Sequence, residues 1–191
     1  MLKGKTHALQ IQISCAKMIK EQSKKVSLDT SPLGWIKLNV DAGFDPITRQ
    51  AGLGFVVRNH LSGVVFSGWI SDRLCSSVEE AENLTALTGI QKALSSSTGS
   101  IWLESDCLAA LQALSSNIPN RSHSCIIIER AKETLRHFKD FKVTKCHRST
   151  NGVAHALEQF SRRVFSSCFL FEGVPTCVSE VLDSDCNHAH G

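Results

Sequence analysis

Between Trp35 and Asp41 the apolar residues Ile36, Leu38 and Val40 alternate with Trp35, Lys37, Asn39 and Asp41, the period of two that marks a strand with one buried face. Two further strand-like runs, AGLGFVVR and GVVFSGWI, follow the loop FDPITRQ and are joined by the polar NHLS. Residues 35–70 therefore predict a three-stranded antiparallel meander. The period then lengthens. Ala81, Leu84, Leu87, Ile90 and Leu94 recur at helical spacing behind a Ser77/Glu80 capping box and predict a helix over about 78–95. After the turn SSSTGS, IWLES predicts a fourth strand, and DCLAALQALSS a helix with Leu108, Leu111 and Leu114 on one face. CIIIERAKETLRHF predicts a third helix and FKVTKCH a fifth strand. NGVAHALEQFSRR predicts a closing helix, with Val153, Ala154, Leu157 and Phe160 as its apolar face and Asn151 as its cap.

That order predicts an α/β fold with a five-stranded mixed sheet, the meander being extended by two parallel strands through crossover helices, with helices on both faces. At 191 residues, with 42% hydrophobic and 20% charged composition, the chain suffices for one core and not for two. The domain is expected over residues 32–171, preceded by a loosely packed N-terminal extension (1–31) and followed by an acidic tail (172–191) that packs loosely after about Leu182.

Charge changes this picture little. The net charge of +3 divides into a lysine-bearing N-terminal extension, an acidic C-terminal end and a mildly basic middle, which permits a local nucleic-acid surface without requiring one. No run of about 18 apolar residues is present, so no membrane span is expected. Met1–Lys25 has no continuous apolar centre, which argues against a secretory signal, and no Arg, which argues against a mitochondrial presequence. Eight cysteines without a CxxC pair fit reduced thiols. An intracellular, non-secreted protein is expected, nuclear and cytoplasmic placement being equally compatible, with the sequons at Asn83 and Asn120 unused.

Three carboxylates stand where structure alone gives poor reason for them: Asp41 at the end of a strand, Glu82 early in the first long helix, and Asp106 just after the IWLES strand. Each has an ordinary explanation, as a turn opener, a solvated helix acid and an N-cap respectively. Taken together, acids at the ends of adjacent strands and one from a packed helix can converge. Convergent carboxylates repel and need a cation, and oxygen donors select Mg²⁺ or Mn²⁺. Two such ions about 4 Å apart are a standard device for phosphodiester chemistry.

With these acids placed, the segment from Trp35 to about Phe171 resembles the ribonuclease H family, in the retroelement-derived, reverse-transcriptase-associated form abundant in plants. WIKLNVDAGF, AGLGFVVRNHLSGVV, EEAENLTALTGIQKAL, IWLESDCLAALQAL and HRSTNGVAHALEQF fall in the family's order over about seven tenths of the chain. The end FEGVPTCVSEVLDSD is similar to the extension that follows this domain in plant retroelement proteins. The resemblance implies metal-dependent hydrolysis of the RNA strand of RNA–DNA hybrids, by an endonuclease using Mg²⁺, with Mn²⁺ as a substitute. It implies that Asp41, Glu82 and Asp106 are the catalytic metal ligands, and that His155 occupies the place of the fourth acid. A neutral imidazole offers one nitrogen and no charge, which suits Mn²⁺ better than Mg²⁺. The rival reading is a nucleic-acid-binding or protein-interaction module that kept the fold and lost the chemistry.

Lesser candidates keep two readings each. Gly52 and Gly54 are either a twisted strand or, by the resemblance, a close approach to the RNA strand. His147 is either a satisfied strand-end histidine or an aid to proton transfer or product release. The Lys and Arg residues over 130–148 are either a charged helix face or a phosphate path. The terminal CNHAH carries no built metal site.

Overall fold

The computed structural model describes residues 31–118, 120 and 122–187. Six strands form, β1 (Trp35–Phe44), β2 (Gln50–Arg58), β3 (Val64–Leu74), β4 (Ser100–Ser105), β5 (Asp140–Lys145) and β6 (Cys168–Phe171), with helices α1 (Val78–Ser96), α2 (Leu108–Ser115), α3 (Cys125–Leu135), α4 (Gly152–Ser161) and α5 (Ser179–Asn187). The sheet order is β5-β4-β1-β2-β3-β6. β1, β2 and β3 make the expected antiparallel meander, and β4 and β5 add in parallel beside β1.

The sixth strand is a departure from the five expected. β6 pairs antiparallel with β3, from Phe66↔Phe171 to Trp69↔Cys168, and covers what would otherwise be an open edge. The tail boundary moves with it. Val174, Cys177, Val178, Val181 and Leu182 pack with Val56, Trp69, Val153 and Leu157, so the chain just past residue 171 closes the domain instead of trailing from it. The expected N-terminal extension lies almost wholly outside the described residues.

Alternation of side chains along the strands splits the interior into two layers. One face presents Leu38, Val40, Leu53, Phe55 and Leu103 to Ile90 of α1, Leu114 of α2 and Leu135 of α3. The other presents Val56 and Trp69 to α4. Full burial of side chains this size contributes about 1.5–3 kcal/mol each, so the two layers dominate stability. Ser77 caps α1 as expected, its hydroxyl accepting from the Glu80 N–H at 3.1 Å, but the Glu80 carboxylate reaches Ser76 instead of returning to Ser77. Cys75, Cys107, Cys125, Cys146 and Cys168 are free thiols. Asn83 is 1% exposed, which bars its sequon from modification in the folded state.

Candidate metal centre

The parallel pairing of β1 with β4 ends at Asn39↔Glu104, whereas the pairing of β1 with β2 continues to Phe44↔Ala51. β1 thus runs on past the point where β4 leaves it. Asp41 lies just beyond the divergence on one strand and Asp106 just beyond the end of the other. α1 brings Glu82 to the same place, and one carboxylate oxygen from each of the three lies within 4.8 Å of the others. The ordinary explanations do not describe them. Asp41 sits inside β1, and the following turn is opened by Asp45, whose carboxylate accepts from the Ile47 N–H at 2.8 Å. Glu82 is buried, and the cap position of α2 belongs to Cys107, which makes no side-chain cap bond.

Burial, and then the neighbouring Asp41 and Asp106, push the Glu82 carboxyl up to about 8. Its Oε2 is buried without a hydrogen-bond partner. An all-oxygen donor set with an orphaned buried carboxylate oxygen fits a hard divalent cation.

The position expected for a fourth acid holds His155, and the structure brings it to the same aspartate from the other side. Nδ1 of His155 lies 2.6 Å from Asp41 Oδ2, and Nε2 lies 2.9 Å from the Gln159 amide nitrogen. With the amide donating to Nε2, Nδ1 carries the proton and donates to Asp41. That bond holds the imidazole pKa above its usual value, with burial acting against it.

A further acid, not anticipated from the sequence, completes this side. Glu158 is one helical turn beyond His155, 2% exposed, with Oε2 3.7 Å from His155 Nδ1. Asp41, His155 and Glu158 form a second set of potential ligand atoms within 4.8 Å of one another, and Asp41 belongs to both sets. Burial, then Asp41, raise the Glu158 pKa.

The placement of α4 explains how these groups meet. Asn151 does not cap the helix with its side chain; Nδ2 donates instead to the Val40 carbonyl at 2.9 Å, tying the start of α4 to the residue before Asp41. Gly43, Gly52 and Gly54 clear the sheet beneath α4. A Cβ on Gly54 would lie 2.3 Å from the Glu158 backbone nitrogen and 2.4 Å from the Ala154 carbonyl oxygen. Gly52 and Gly54 therefore make room for a helix, and the space read as an approach path for RNA is filled.

His147 stands apart from the cluster and caps the short turn Arg148–Thr150 through Ser149. Lys132 and Arg136 pair with Glu129 and Glu133 on their own helix, as a charged helix face does. Lys142 lies over the Trp102 ring, 3.8 Å from its centroid. No helix among the described residues is long and apolar enough to cross a membrane.

The reverse transcriptase-like family model matches residues 39–161. No curated protein matches the chain. Among solved structures it is similar to ribonuclease H1 of the halophilic archaeon Halobacterium salinarum, at 21% identity and a TM-score of 0.61, over 67% of this chain and 97% of that one. The N-terminal ribonuclease H domain of a Mycobacterium tuberculosis protein, solved as a fusion with maltose-binding protein, is 15% identical with a TM-score of 0.62, over 68% and 94% of the two chains. A foamy viral protease-reverse transcriptase, solved with an RNA/DNA hybrid, is 13% identical with a TM-score of 0.54, over 75% of this chain and 22% of that one. At these identities the likeness shows a ribonuclease H-like fold.

Proposed function

We propose, from the premise that this chain belongs to the reverse transcriptase-like family, that it binds RNA–DNA hybrids and hydrolyses their RNA strand with the help of divalent cations. The observation that carries this reading is the convergence of Asp41, Glu82 and Asp106 within 4.8 Å at the end of the β1–β4 pair. Water would add its oxygen to phosphorus as the bond to the 3′-oxygen breaks, leaving a 3′-hydroxyl and a 5′-phosphate. Cations bound there would neutralise the developing charge and lower the pKa of the attacking water. Asp41, Glu82 and Asp106 would hold such a cation, Asp41 being common to both groups of potential ligands. Glu82 keeps its proton at neutral pH when no cation is near, and a cation at the cluster favours the ionised form. The retroelement-derived, plant-type affinity belongs to the same proposal and rests on the sequence motifs. The intracellular setting is supported by the free thiols of Cys75, Cys107, Cys125, Cys146 and Cys168.

A second reading, a binding module without the chemistry, is favoured by one observation: the imidazole of His155 already occupies Asp41 Oδ2. Incubating a labelled RNA–DNA hybrid with the protein in Mg²⁺ and in Mn²⁺ separates the two. Cleavage in either metal, abolished by Asp41→Asn, is expected. Binding of the hybrid with no cleavage in either would establish the binding module.

A further inference from the structure

We propose that Asn39 and Glu104 are positioning residues of the metal centre: with Lys37 and Arg58 they form a buried polar clasp that sets the register of β1 against β4, and through it the distance between Asp41 and Asp106. The inference deepens the hydrolytic reading and rests on it for its role in catalysis, though not for the existence of the clasp.

It starts from burial in an unexpected place. Alternation along β1 turns Leu38 and Val40 to the core and Lys37, Asn39 and Asp41 to the opposite face, where Trp102 and Glu104 of β4 lie beside them. A polar face of this kind ordinarily meets water. Here Lys37 is 3% exposed, Asn39 1%, Glu104 5% and Arg58 3%. Polar groups taken that far out of water need partners of defined geometry, and these have them. Asn39 Nδ2 donates to Glu104 Oε2 at 3.1 Å, Arg58 Nη1 donates to Asn39 Oδ1 at 3.1 Å, and Lys37 Nζ lies 3.0 Å from the same Glu104 oxygen. The two ends of the Asn39 amide are thus told apart, one by an anion on β4 and the other by a cation on β2. Lys37 Nζ also lies over the ring of Trp102, its register partner, 4.4 Å from the centroid.

The place of the clasp matters as much as its chemistry. Asn39↔Glu104 is the last paired step of β1 and β4, and two residues further along each chain stand Asp41 and Asp106. Those two repel when ionised, so the acids themselves do not hold the strands in place. The core face does not settle the register either. Ile36 and Leu38 stand opposite Ile101 and Leu103, and a slip of two residues, which keeps every side chain on its face, would set Leu38 against Ile101, aliphatic against aliphatic. The same slip would bring Asn39 to Trp102 and Asp41 to Glu104, breaking the clasp and burying two carboxylates together. It would also displace Asp106 by about 6.6 Å along β1, more than the 4.8 Å within which the three carboxylate oxygens gather. Choosing one register among near-equivalents is the best-attested use of buried polar contacts.

The test uses the full chain and Mn²⁺ alone, with free Mn²⁺ counted by electron paramagnetic resonance well below the melting temperature of each variant. The affinity followed is that of the site which Asp41→Asn removes. Asn39→Leu, nearly equal in size and without a change of charge, is expected to weaken it by about tenfold or more. Asn39→Asp sets a carboxylate against Glu104 and is expected to weaken it as well, although the added negative charge by itself would favour a cation. Asn39→Asp combined with Glu104→Gln restores the total charge and a hydrogen bond of reversed sense, the new amide donating to the new carboxylate. That double variant is expected to recover the affinity to within about threefold of wild type. Unaltered affinity in Asn39→Leu, tighter binding in Asn39→Asp, or no recovery in the double variant would each overturn the proposal. Where circular dichroism shows Asn39→Leu unfolded, the other two variants carry the same decision. Hybrid cleavage is assayed in parallel: the affinity pattern without cleavage would uphold the clasp and refute the hydrolytic reading, and cleavage with an affinity indifferent to these substitutions would do the reverse.

Discussion

At the scale of single residues the centre is a destabilising element held in place by the rest of the fold. Glu82 has a folded-state pKa of about 8 against an ordinary 4.5, so it binds its proton more tightly folded than unfolded. Its contribution is fully present below pH 4.5 and is lost as the pH rises through about 8. Glu82→Gln should therefore stabilise the metal-free protein above that pH, by on the order of 2 kcal/mol in urea unfolding, with the advantage gone in acid. An equal gain at both ends of the range would mean that burial of the charge is not the cause. His155 works in the opposite sense, because its pair with Asp41 stabilises the fold. His155→Asp should lower the stability of the metal-free protein by about 1–3 kcal/mol, the cost of losing a hydrogen-bonded partner and adding a like charge. The same substitution should raise hybrid cleavage in Mg²⁺ by about tenfold or more while raising the Mn²⁺ rate less, since it returns an oxygen ligand. Single-turnover rates in the two metals would show it, and equal rates for variant and wild type in Mg²⁺ would mean that the missing acid does not limit activity.

Among the elements, α4 carries half of the centre, and its position depends on residues that have no side chain. Gly54→Ala places a methyl against backbone atoms of α4 at 2.3 and 2.4 Å, so the helix itself must move. The expected loss is about 3 kcal/mol. Gly43→Ala meets the ends of Glu158 and Arg162 side chains, which can swing away, and should cost about 1 kcal/mol while displacing the Glu158 carboxylate. Comparable losses for the two in denaturant unfolding would show that α4 does not sit where described. This contrast bears on what could be read from the chain. The first five strands and four helices are legible because each buries a face, and burial imposes a period of two or of about 3.6. β6 is not, since four residues alternating between half-buried and exposed are too short to declare a period. Asp41, Glu82 and Asp106 stand out because acids are unexpected at strand ends and on buried helix turns. Glu158 does not, because an acid one turn along an amphipathic helix reads as solvated. The only hint of it is indirect, in glycines at 43, 52 and 54 on one face of two paired strands.

For the molecule as a whole, the segment after α4 closes both an edge and a face. Deleting residues 168–191 would uncover the β3 edge and the surfaces of Val56, Trp69 and Leu157, now packed against Val178, Val181 and Leu182. A fall in Tm on the order of 10 °C, with aggregation on heating, is the expected result; an unchanged Tm would make the segment an appendage. Its role escaped the sequence because five apolar residues among acids leave too weak a pattern. The bond from Asn151 to the Val40 carbonyl has a consequence of another kind, in time. It joins residues 111 positions apart, and the contact between His155 and Asp41 spans 114. At a synthesis rate of roughly 5–20 residues per second, Asp41 leaves the ribosome on the order of ten seconds before its partners in α4. During that interval the strand that forms the middle of the sheet exists without the helix that holds its aspartate, so a nascent chain is a poor trap for metal, and the complete centre appears only once α4 has been made and docked.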